Sequence, residues 1–130
     1  MNLEKIKSKI IIIRGQNVIL DSDVADLYEV ETKRINEAVK NNPEKFPVGY
    51  VIELTACEKR EVVEIFDHLS KLKFSSVPIK GFSEKALYML ATILKSPVAT
   101  DTTLAIIETF SKVRELSRSF AELYNHNEEK

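Results

Sequence analysis

Two short amphipathic segments, separated by three residues, constrain the fold of this chain more than any other feature of its sequence. Apolar side chains recur at the three- and four-residue spacing of one helical face, first over residues 24–28 and again over residues 32–41. Glu29-Val30-Glu31 separates the two segments, and Pro43 ends the second because the residue before a proline is displaced from the α region. Two short helices joined by three or four residues are typical of a helix-turn-helix unit.

The residues that precede this unit predict a β-hairpin. β-Branched residues dominate positions 9–13 and 18–20, and the Arg14-Gly15-Gln16-Asn17 segment between them contains glycine and asparagine, which tolerate a positive φ. Asp21-Ser22-Asp23 then supplies side chains that cap helices, so we expect the first helix to start directly after it. Thr32 is expected to cap the second helix in the same way.

The central part of the sequence predicts a third strand and a further helix. The strand is expected over residues 50–54, and Thr55 with Glu58 three residues later has the spacing of a capping box for the helix that follows. Residues 71–81 contain serines and a proline and are expected to form a loop, with at most a short strand over residues 77–79.

Two apolar helices are expected in the C-terminal part. The first starts at Ser83-Glu84 and is stopped by Ser96-Pro97, and the second runs over residues 98–124 with an apolar residue every three or four positions. The predicted fold class is therefore α+β, in which a small N-terminal β-hairpin and the helix-turn-helix unit pack on a C-terminal helical part that ends in a long helix. A chain of 130 residues has room for one domain, expected over residues 1–124 and followed by a polar tail over residues 125–130.

The rare residue types argue against catalysis. Cys57 is the single cysteine, the three glycines are far apart, and His68 and His126 form no recognisable ligand set or triad. We therefore expect no enzyme activity, no cofactor and no metal site. A lone cysteine suits a reducing compartment. The one dense apolar run, residues 10–13, is far shorter than a membrane span or the core of a signal peptide, so we expect a cytoplasmic protein.

The charge balance leaves the role of the helix-turn-helix unit open. The formal net charge is −1, whereas proteins that bind the phosphate backbone usually carry an excess of lysine and arginine. Residues 32–80 hold nine basic and seven acidic side chains, and the parts before and after them are mildly acidic. On spacing alone, residues 32–41 are better described as an ordinary amphipathic surface helix than as a DNA-contacting one.

Several motifs follow one another in a fixed order along the chain. Residues 13–28, from Ile13-Arg14-Gly15 onward, are followed by Thr32-Lys33-Arg34-Ile35-Asn36-Glu37, by Phe46-Pro47, by Phe82-Ser83-Glu84 and by Leu94-Lys95-Ser96. In this order they resemble the phage ORF-six-N domain family, which is related to the KilA-N and BRO-N domains. The resemblance implies a compact α+β domain of phage and prophage proteins that is thought to bind DNA and to act in transcription regulation, often in antirepressor-like contexts.

The resemblance places a recognition helix at residues 32–41. A helix N-terminus attracts phosphate, and lysine, arginine and asparagine side chains pair with guanine or adenine in the major groove of duplex DNA. Cations in neighbouring loops are candidates for phosphate contacts, which position a protein without reading sequence. The candidates for DNA contact are Thr32, Lys33, Arg34, Asn36, Lys40 and Asn41, with Arg14, Lys71, Lys73 and Lys80 for flanking phosphates.

Some positions depart from the family pattern and keep a second interpretation open. Glu29 stands where the family usually has a glycine, Asn41 where a basic residue is common, and Lys85-Ala86 where Gln-Gly is usual. Together with the low net charge, these differences favour an antirepressor-type protein-interaction module with little DNA affinity. The intact Thr32-Lys33-Arg34 segment favours DNA binding, so both hypotheses stand at this point.

The last helix also predicts self-association. Its apolar residues recur at nearly heptad spacing, and its end is too apolar for an unpartnered surface, so we expect a homodimer. The alternative is that the first half of this helix packs on the core of its own chain and the second half frays. The residues assigned to the dimer interface are Phe110, Val113, Phe120, Leu123 and Tyr124.

Overall fold

A four-stranded antiparallel sheet with helices on both faces forms the centre of the computed structural model, which describes residues 3–72 and 76–128. Side chains are described as far as residue 116, apart from those of Asp67, Ser70 and Lys71. The strands are β1 (Ile10–Ile13), β2 (Gln16–Leu20), β3 (Val51–Glu53) and β4 (Lys80–Ser83), and they lie in the order β1-β2-β4-β3. The helices are α1 (Leu3–Lys7), α2 (Asp21–Tyr28), α3 (Thr32–Asn41), α4 (Ala56–Ile65), α5 (Glu84–Leu94) and α6 (Pro97–Glu128), with short 3-10 helices at Pro43–Lys45 and Asp67–Leu72. This architecture confirms the predicted α+β fold, including the N-terminal hairpin and the long last helix.

The N-terminal hairpin closes with a two-residue turn. Arg14 and Gly15 both have positive φ angles, 53° and 77°, as the tightest hairpin turns require. Ile13 therefore pairs with Gln16 across the turn. The predicted four-residue turn is too long, because Gln16 and Asn17 already belong to β2.

Strand β4 lies where the sequence predicted a loop. It is a central strand, paired with β2 on one side and β3 on the other. A Cβ atom at Gly81 would lie 3.0 Å from Val18 Cγ2 and 3.2 Å from Ile52 Cγ1, so the glycine lets these two side chains close over the strand. The short strand predicted over residues 77–79 is misplaced, since the observed strand covers residues 80–83. The sequence did not indicate these residues because a glycine inside a segment weakens the strand signal.

The two faces of the sheet carry separate apolar cores. Ile19 and Phe82 belong to the core that packs on α1, α2, α3, α5 and α6, whereas Val18 and Leu20 belong to the core beneath α4 and the 3-10 helix after it. The residues of β2 alternate between the cores because successive side chains of a strand point to opposite faces. As a result, α3 and α4 lie on opposite sides of the sheet.

Two of the predicted helix starts are confirmed by hydrogen bonds. At the start of α4, the Glu58 N–H donates to Thr55 Oγ1 (3.2 Å) and the Thr55 N–H donates to Glu58 Oε1 (2.9 Å), which completes the predicted capping box. At the start of α5, Ser83 Oγ accepts from the Ala86 N–H (3.2 Å). Both caps satisfy backbone donors that a first helical turn leaves unpaired.

The predicted starts of α2 and α3 are wrong in detail. Strand β2 runs directly into α2, which begins at Asp21, and Leu20 occupies the capping position. Thr32 is the first residue of α3, and Glu31 precedes it as the N-cap. Neither N-cap residue forms a side-chain capping bond. Asp21 Oδ1 accepts from the Ser22 N–H (2.9 Å), so it satisfies a backbone donor of the first turn of α2 from within the helix rather than from the N-cap position.

Helix α6 packs against α1, α2 and α5. Helix α1 was not predicted from the sequence. α1 has only five residues and buries Ile6, so its stability depends on docking against α6 rather than on its own sequence. In the first half of α6, Ala99, Thr102 and Ile106 are buried. None of the helices in the part of the chain described here combines the length and apolar character needed to cross a membrane.

Candidate nucleic-acid interface

The helix-turn-helix unit consists of α2 and α3, and backbone hydrogen bonds close the turn between them. Glu29 has φ 57° and ψ 42°, the left-handed conformation in which many helices end. Its N–H donates to the Asp26 carbonyl (3.3 Å), and the Val30 N–H donates to the Ala25 carbonyl (3.0 Å). A residue other than glycine in this conformation is strained by roughly 1 kcal/mol. The turn therefore keeps the geometry that a glycine favours, although this chain has a glutamate there.

Helix α2 is held in place at both ends. Thr102 Oγ1 of α6 donates to the Leu27 carbonyl (3.2 Å) near its C-terminus. Near its N-terminus, the buried Asp23 carboxylate lies 3.1 Å from Lys9 Nζ and 3.1 Å from His68 Nε2. In the described part of the chain, no group of three His, Cys, Asp or Glu side chains is placed to hold a metal ion. The acidic residues of α2 thus have structural partners.

The inner face of α3 fixes the orientation of the helix. Ile35 is fully buried and Ala38 is 1% exposed, both within the main core. Asn36 is half-buried, and its Nδ2 atom donates to Asp21 Oδ2 of α2 (3.1 Å). Burial raises the pKa of Asp21, although the hydrogen bond from Asn36 opposes that shift. Asn36 therefore joins α3 to α2. Asn36 and Thr32 are half-buried, so they are less accessible to DNA than the other predicted contacts on α3, which are exposed.

The outer face of α3 is exposed and predominantly basic. We define it by its five exposed side chains, Lys33, Arg34, Glu37, Lys40 and Asn41. Lys33 Nζ lies 3.9 Å from Glu37 Oε1, with side chains 82% and 49% exposed, so this ion pair is loose and contributes little to stability. Among the described residues, Arg34, Lys40 and Asn41 have no side-chain hydrogen bond or ion pair. Three cations are thus available to a partner outside the chain.

Arg14, a predicted phosphate contact, is occupied within the chain. Its Nε and Nη2 atoms donate to the two carboxylate oxygens of Glu58 (2.9 and 2.7 Å), and Nη2 also donates to the Glu53 carbonyl (3.1 Å). The guanidinium, helped by the Thr55 N–H, lowers the pKa of Glu58 to about 2. Arg14 therefore fastens the hairpin turn to α4, and its charge is neutralised where a DNA phosphate was expected.

Of the other predicted phosphate contacts, Lys80 is the one whose side chain belongs to the described residues. Lys80 is half-buried in the central strand β4, where its backbone and its charge both act on Asp21. The side chain of Lys71 and all of Lys73 lie outside the described residues. A cation that the prediction left out, Lys45, follows α3 directly and donates through Nζ to Thr92 Oγ1 of α5 (2.9 Å). The sequence signal that could have identified Lys45 as a candidate was its place just after Pro43, the residue that ends the second predicted helix.

The predicted dimer residues divide into two groups. Phe110 is 2% exposed in the main core and Val113 is half-buried beside α1, so these two residues pack within their own chain. This outcome matches the alternative that the first half of the helix covers its own core. The side chains of Phe120, Leu123 and Tyr124 lie outside the described residues. Among the side chains of α6 that are described, the large apolar ones that are exposed are Val98, Leu104, Ile107 and Leu116.

A cleft of about 470 Å³ lies between the hairpin turn and the start of α5. One of its two cations is neutralised, since Arg114 forms an ion pair with Glu84, whereas the Lys85 ammonium lies 5.9 Å from the centre of the uncharged Tyr50 ring. The cleft therefore offers an anion less free charge than the outer face of α3.

The geometry can be set beside known proteins. The sequence model of the ORF6N domain matches residues 8–93, which span the hairpin, the helix-turn-helix unit and nearly all of α5. No curated protein and no solved structure matches the chain. Helix α6 begins after the matched region. Because the match covers more than half of the chain, this protein belongs to the ORF6N domain family.

Proposed function

We propose that this ORF6N domain binds duplex DNA by inserting the outer face of α3 into the major groove. The observation that carries the proposal is the contrast between the two faces of this helix. Ile35 and Ala38 anchor the inner face in the core, while Lys33, Arg34 and Lys40 point outward with at most one loose partner among the described residues. A cationic helix face held rigidly by a helix-turn-helix unit suits groove recognition.

The two ends of α3 take different roles in this proposal. At the N-terminus, no side-chain cap from the N-cap residue covers the first turn, and Lys33 and Arg34 stand beside it. The partial positive charge of that end and the two cations together favour a backbone phosphate. Further along the helix, Lys40 and Asn41 are placed for base edges or for the opposite strand.

Non-specific affinity is expected to be low. The formal net charge is −1, Arg14 is neutralised by Glu58, and Glu37 introduces a negative charge on the outer face itself. Each phosphate contact contributes a salt slope of about −0.9 in the logarithm of the binding constant. A few contacts give a shallow slope, so measurable binding requires low salt or a preferred sequence.

A double charge reversal tests the proposed surface. Fluorescence anisotropy with a mixed-sequence duplex is measured over a series of salt concentrations for the wild type and for Lys33→Glu/Arg34→Glu. The variant is expected to lose most of its binding, and its salt slope is expected to fall by about two because two cationic contacts are removed. Both positions are exposed, so thermal unfolding is expected to stay close to that of the wild type.

The chain supplies a matched control for this experiment. Lys59-Arg60 on α4 repeats the same dipeptide on the opposite side of the sheet. Because Lys59 is half-buried and donates to the Val77 carbonyl, the control is made with the arginines alone. Arg60→Glu changes the net charge as much as Arg34→Glu and is expected to weaken binding far less. Equal losses in these two single variants would mean that overall charge, not α3, governs binding. Unchanged binding in Lys33→Glu/Arg34→Glu would remove α3 from the interface.

A protein-interaction module of the antirepressor kind is the second candidate. The observation that favours it is on α6, where Leu104 is 58% exposed and Ile107 is 36% exposed on the side away from the core. Exposed apolar pairs of this sort are more typical of protein partners than of nucleic acid. Binding to no duplex at low salt would favour this candidate over DNA recognition.

We further propose that the chain forms a homodimer through the end of α6. The helix continues to Glu128, and Leu116, the last residue whose side chain is described, is 49% exposed. The sequence places Phe120, Leu123 and Tyr124 further along the same helix, and a second copy would bury apolar side chains of this kind. Pairing two recognition helices also raises a weak affinity through effective concentration. Sedimentation equilibrium is expected to give twice the mass of one chain, and a single-chain mass at all concentrations would contradict the dimer.

A further inference from the structure

Glu37 occupies the middle of the outer face of α3. It follows Lys33 by one turn and precedes Lys40 by one turn, so the three side chains form one ridge along the helix. Its side chain is 49% exposed, and its partner among the described residues is Lys33 at 3.9 Å. A carboxylate therefore stands between the two cations that the proposed function directs at DNA.

Folding does not account for this carboxylate. The ion pair with Lys33 is exposed, and its order along the helix, with lysine before glutamate, is the less favourable one relative to the helix dipole. Glu37 caps no helix end and takes part in no buried hydrogen bond within the described part of the chain. The carboxylate is therefore available for a contact made outside the chain.

The bases of duplex DNA limit which contact that is. A carboxylate repels phosphates and the acceptor atoms of guanine, but it accepts a hydrogen bond from an amino group at the major-groove edge, which only cytosine (N4) and adenine (N6) offer there. The adenine amino group lies beside the N7 acceptor, which repels a carboxylate, so cytosine N4 is the better partner. Lys40, one turn further along, suits the opposite chemistry, because guanine presents its O6 and N7 acceptors there. Glu37 and Lys40 thus place an acceptor beside a donor, which is complementary to a cytosine edge beside a guanine edge.

Resting on the proposed function, we propose that Glu37 makes duplex recognition selective by accepting a hydrogen bond from cytosine N4 in the major groove. The same carboxylate lowers affinity for all other sequences, because it faces the phosphate-rich surface without a donor. Glu37 is therefore a specificity residue, whereas Lys33 and Arg34 supply general affinity.

Selection from a randomised duplex library tests this assignment. Bound duplexes are sequenced after rounds of enrichment with the wild type, with Glu37→Gln and with the control Glu61→Gln, which removes an exposed carboxylate from α4. The wild type and Glu61→Gln are expected to enrich one shared motif that contains a fixed cytosine. Glu37→Gln is expected to lose that cytosine by roughly 5- to 150-fold in preference, to accept adenine through its amide, and to bind mixed-sequence duplex more tightly.

The outcomes separate this inference from the function on which it rests. If the wild type binds no duplex, the proposed function fails and the inference fails with it. If the wild type enriches a motif that Glu37→Gln enriches equally, DNA binding stands and the role of Glu37 is overturned. Binding by the wild type without any enriched motif would overturn it as well.

Discussion

Helices α3 and α4 invite comparison because each has ten residues and each carries a Lys-Arg dipeptide. They lie on opposite sides of the sheet, and their charges are used differently. On α4, Thr55 and Glu58 close the first turn, Glu58 binds Arg14, and Lys59 donates to the Val77 carbonyl. On α3 the N-cap residue provides no side-chain bond, and its outer face carries three cations with little internal pairing.

The difference shows that available charge depends on tertiary partners more than on sequence. Arg14 and Arg34 look equally suited to phosphate in the sequence, but Arg14 meets Glu58, which is 44 residues further along the chain. Arg34 has no such partner among the described residues. A net charge near zero is therefore compatible with one locally basic face, because many of the other charges neutralise each other.

Removing the hydrogen bonds by which Arg14 joins the hairpin turn to α4 is expected to give the larger of two effects on stability. Arg14→Ala deletes three hydrogen bonds of the hairpin turn, so the variant is expected to unfold at a lower temperature at neutral pH while it keeps most of its DNA affinity. Arg60→Ala, at an exposed position of α4, is the matched control and is expected to unfold near the wild-type temperature. A large loss of DNA affinity in Arg14→Ala would show that the hairpin belongs to the DNA interface, and the proposed difference between Arg14 and the cations of α3 would be wrong.

The ion pair between Arg14 and Glu58 also predicts that the stability of the fold depends on pH. The pKa of Glu58 is about 2 in the folded chain and ordinarily 4.5, so the contribution of the ionised carboxylate is present above pH 4.5 and lost as pH falls toward 2. The stability difference between the wild type and Arg14→Ala is therefore expected to shrink over that window in thermal unfolding. A difference that stays constant down to pH 2 would show that the ion pair is not its cause.

A smaller effect, of opposite sign, is expected in the turn that leads into α3. Glu29→Gly places glycine at φ 57°, which relieves backbone strain and is expected to stabilise the fold by about 1 kcal/mol in urea unfolding. Glu31→Gly is the control, because Glu31 has φ −75° and gains nothing from glycine. If both variants are destabilised equally, the left-handed conformation at Glu29 is not strained.

The sequence predicted the parts of the fold that local signals specify. The capping box at Thr55, the start of α5 at Ser83 and the short turn between α2 and α3 all follow from residues a few positions apart. Strand β4 was missed because Gly81 is in a strand only through pairing with two distant strands. Helix α1 was missed because it is stabilised by docking on α6.

The candidate interface was predictable to a similar degree. Helical spacing was enough to place Lys33, Arg34 and Lys40 on the exposed side of α3. Spacing could not reveal that Asn36 donates a hydrogen bond to Asp21, since that contact depends on how α2 packs against α3. The role of Arg14 depended likewise on a residue in a different element.

The most direct test of the account is an NMR titration of the isotopically labelled chain with duplex DNA at low salt. Backbone amide shifts report on each helix separately in one experiment. The largest changes are expected on residues 32–41, while residues 56–65 of α4 are expected to stay nearly unchanged. Changes concentrated on α4, or on α6 around Leu104 and Ile107 with α3 silent, would contradict the claim that the outer face of α3 is the DNA-binding surface.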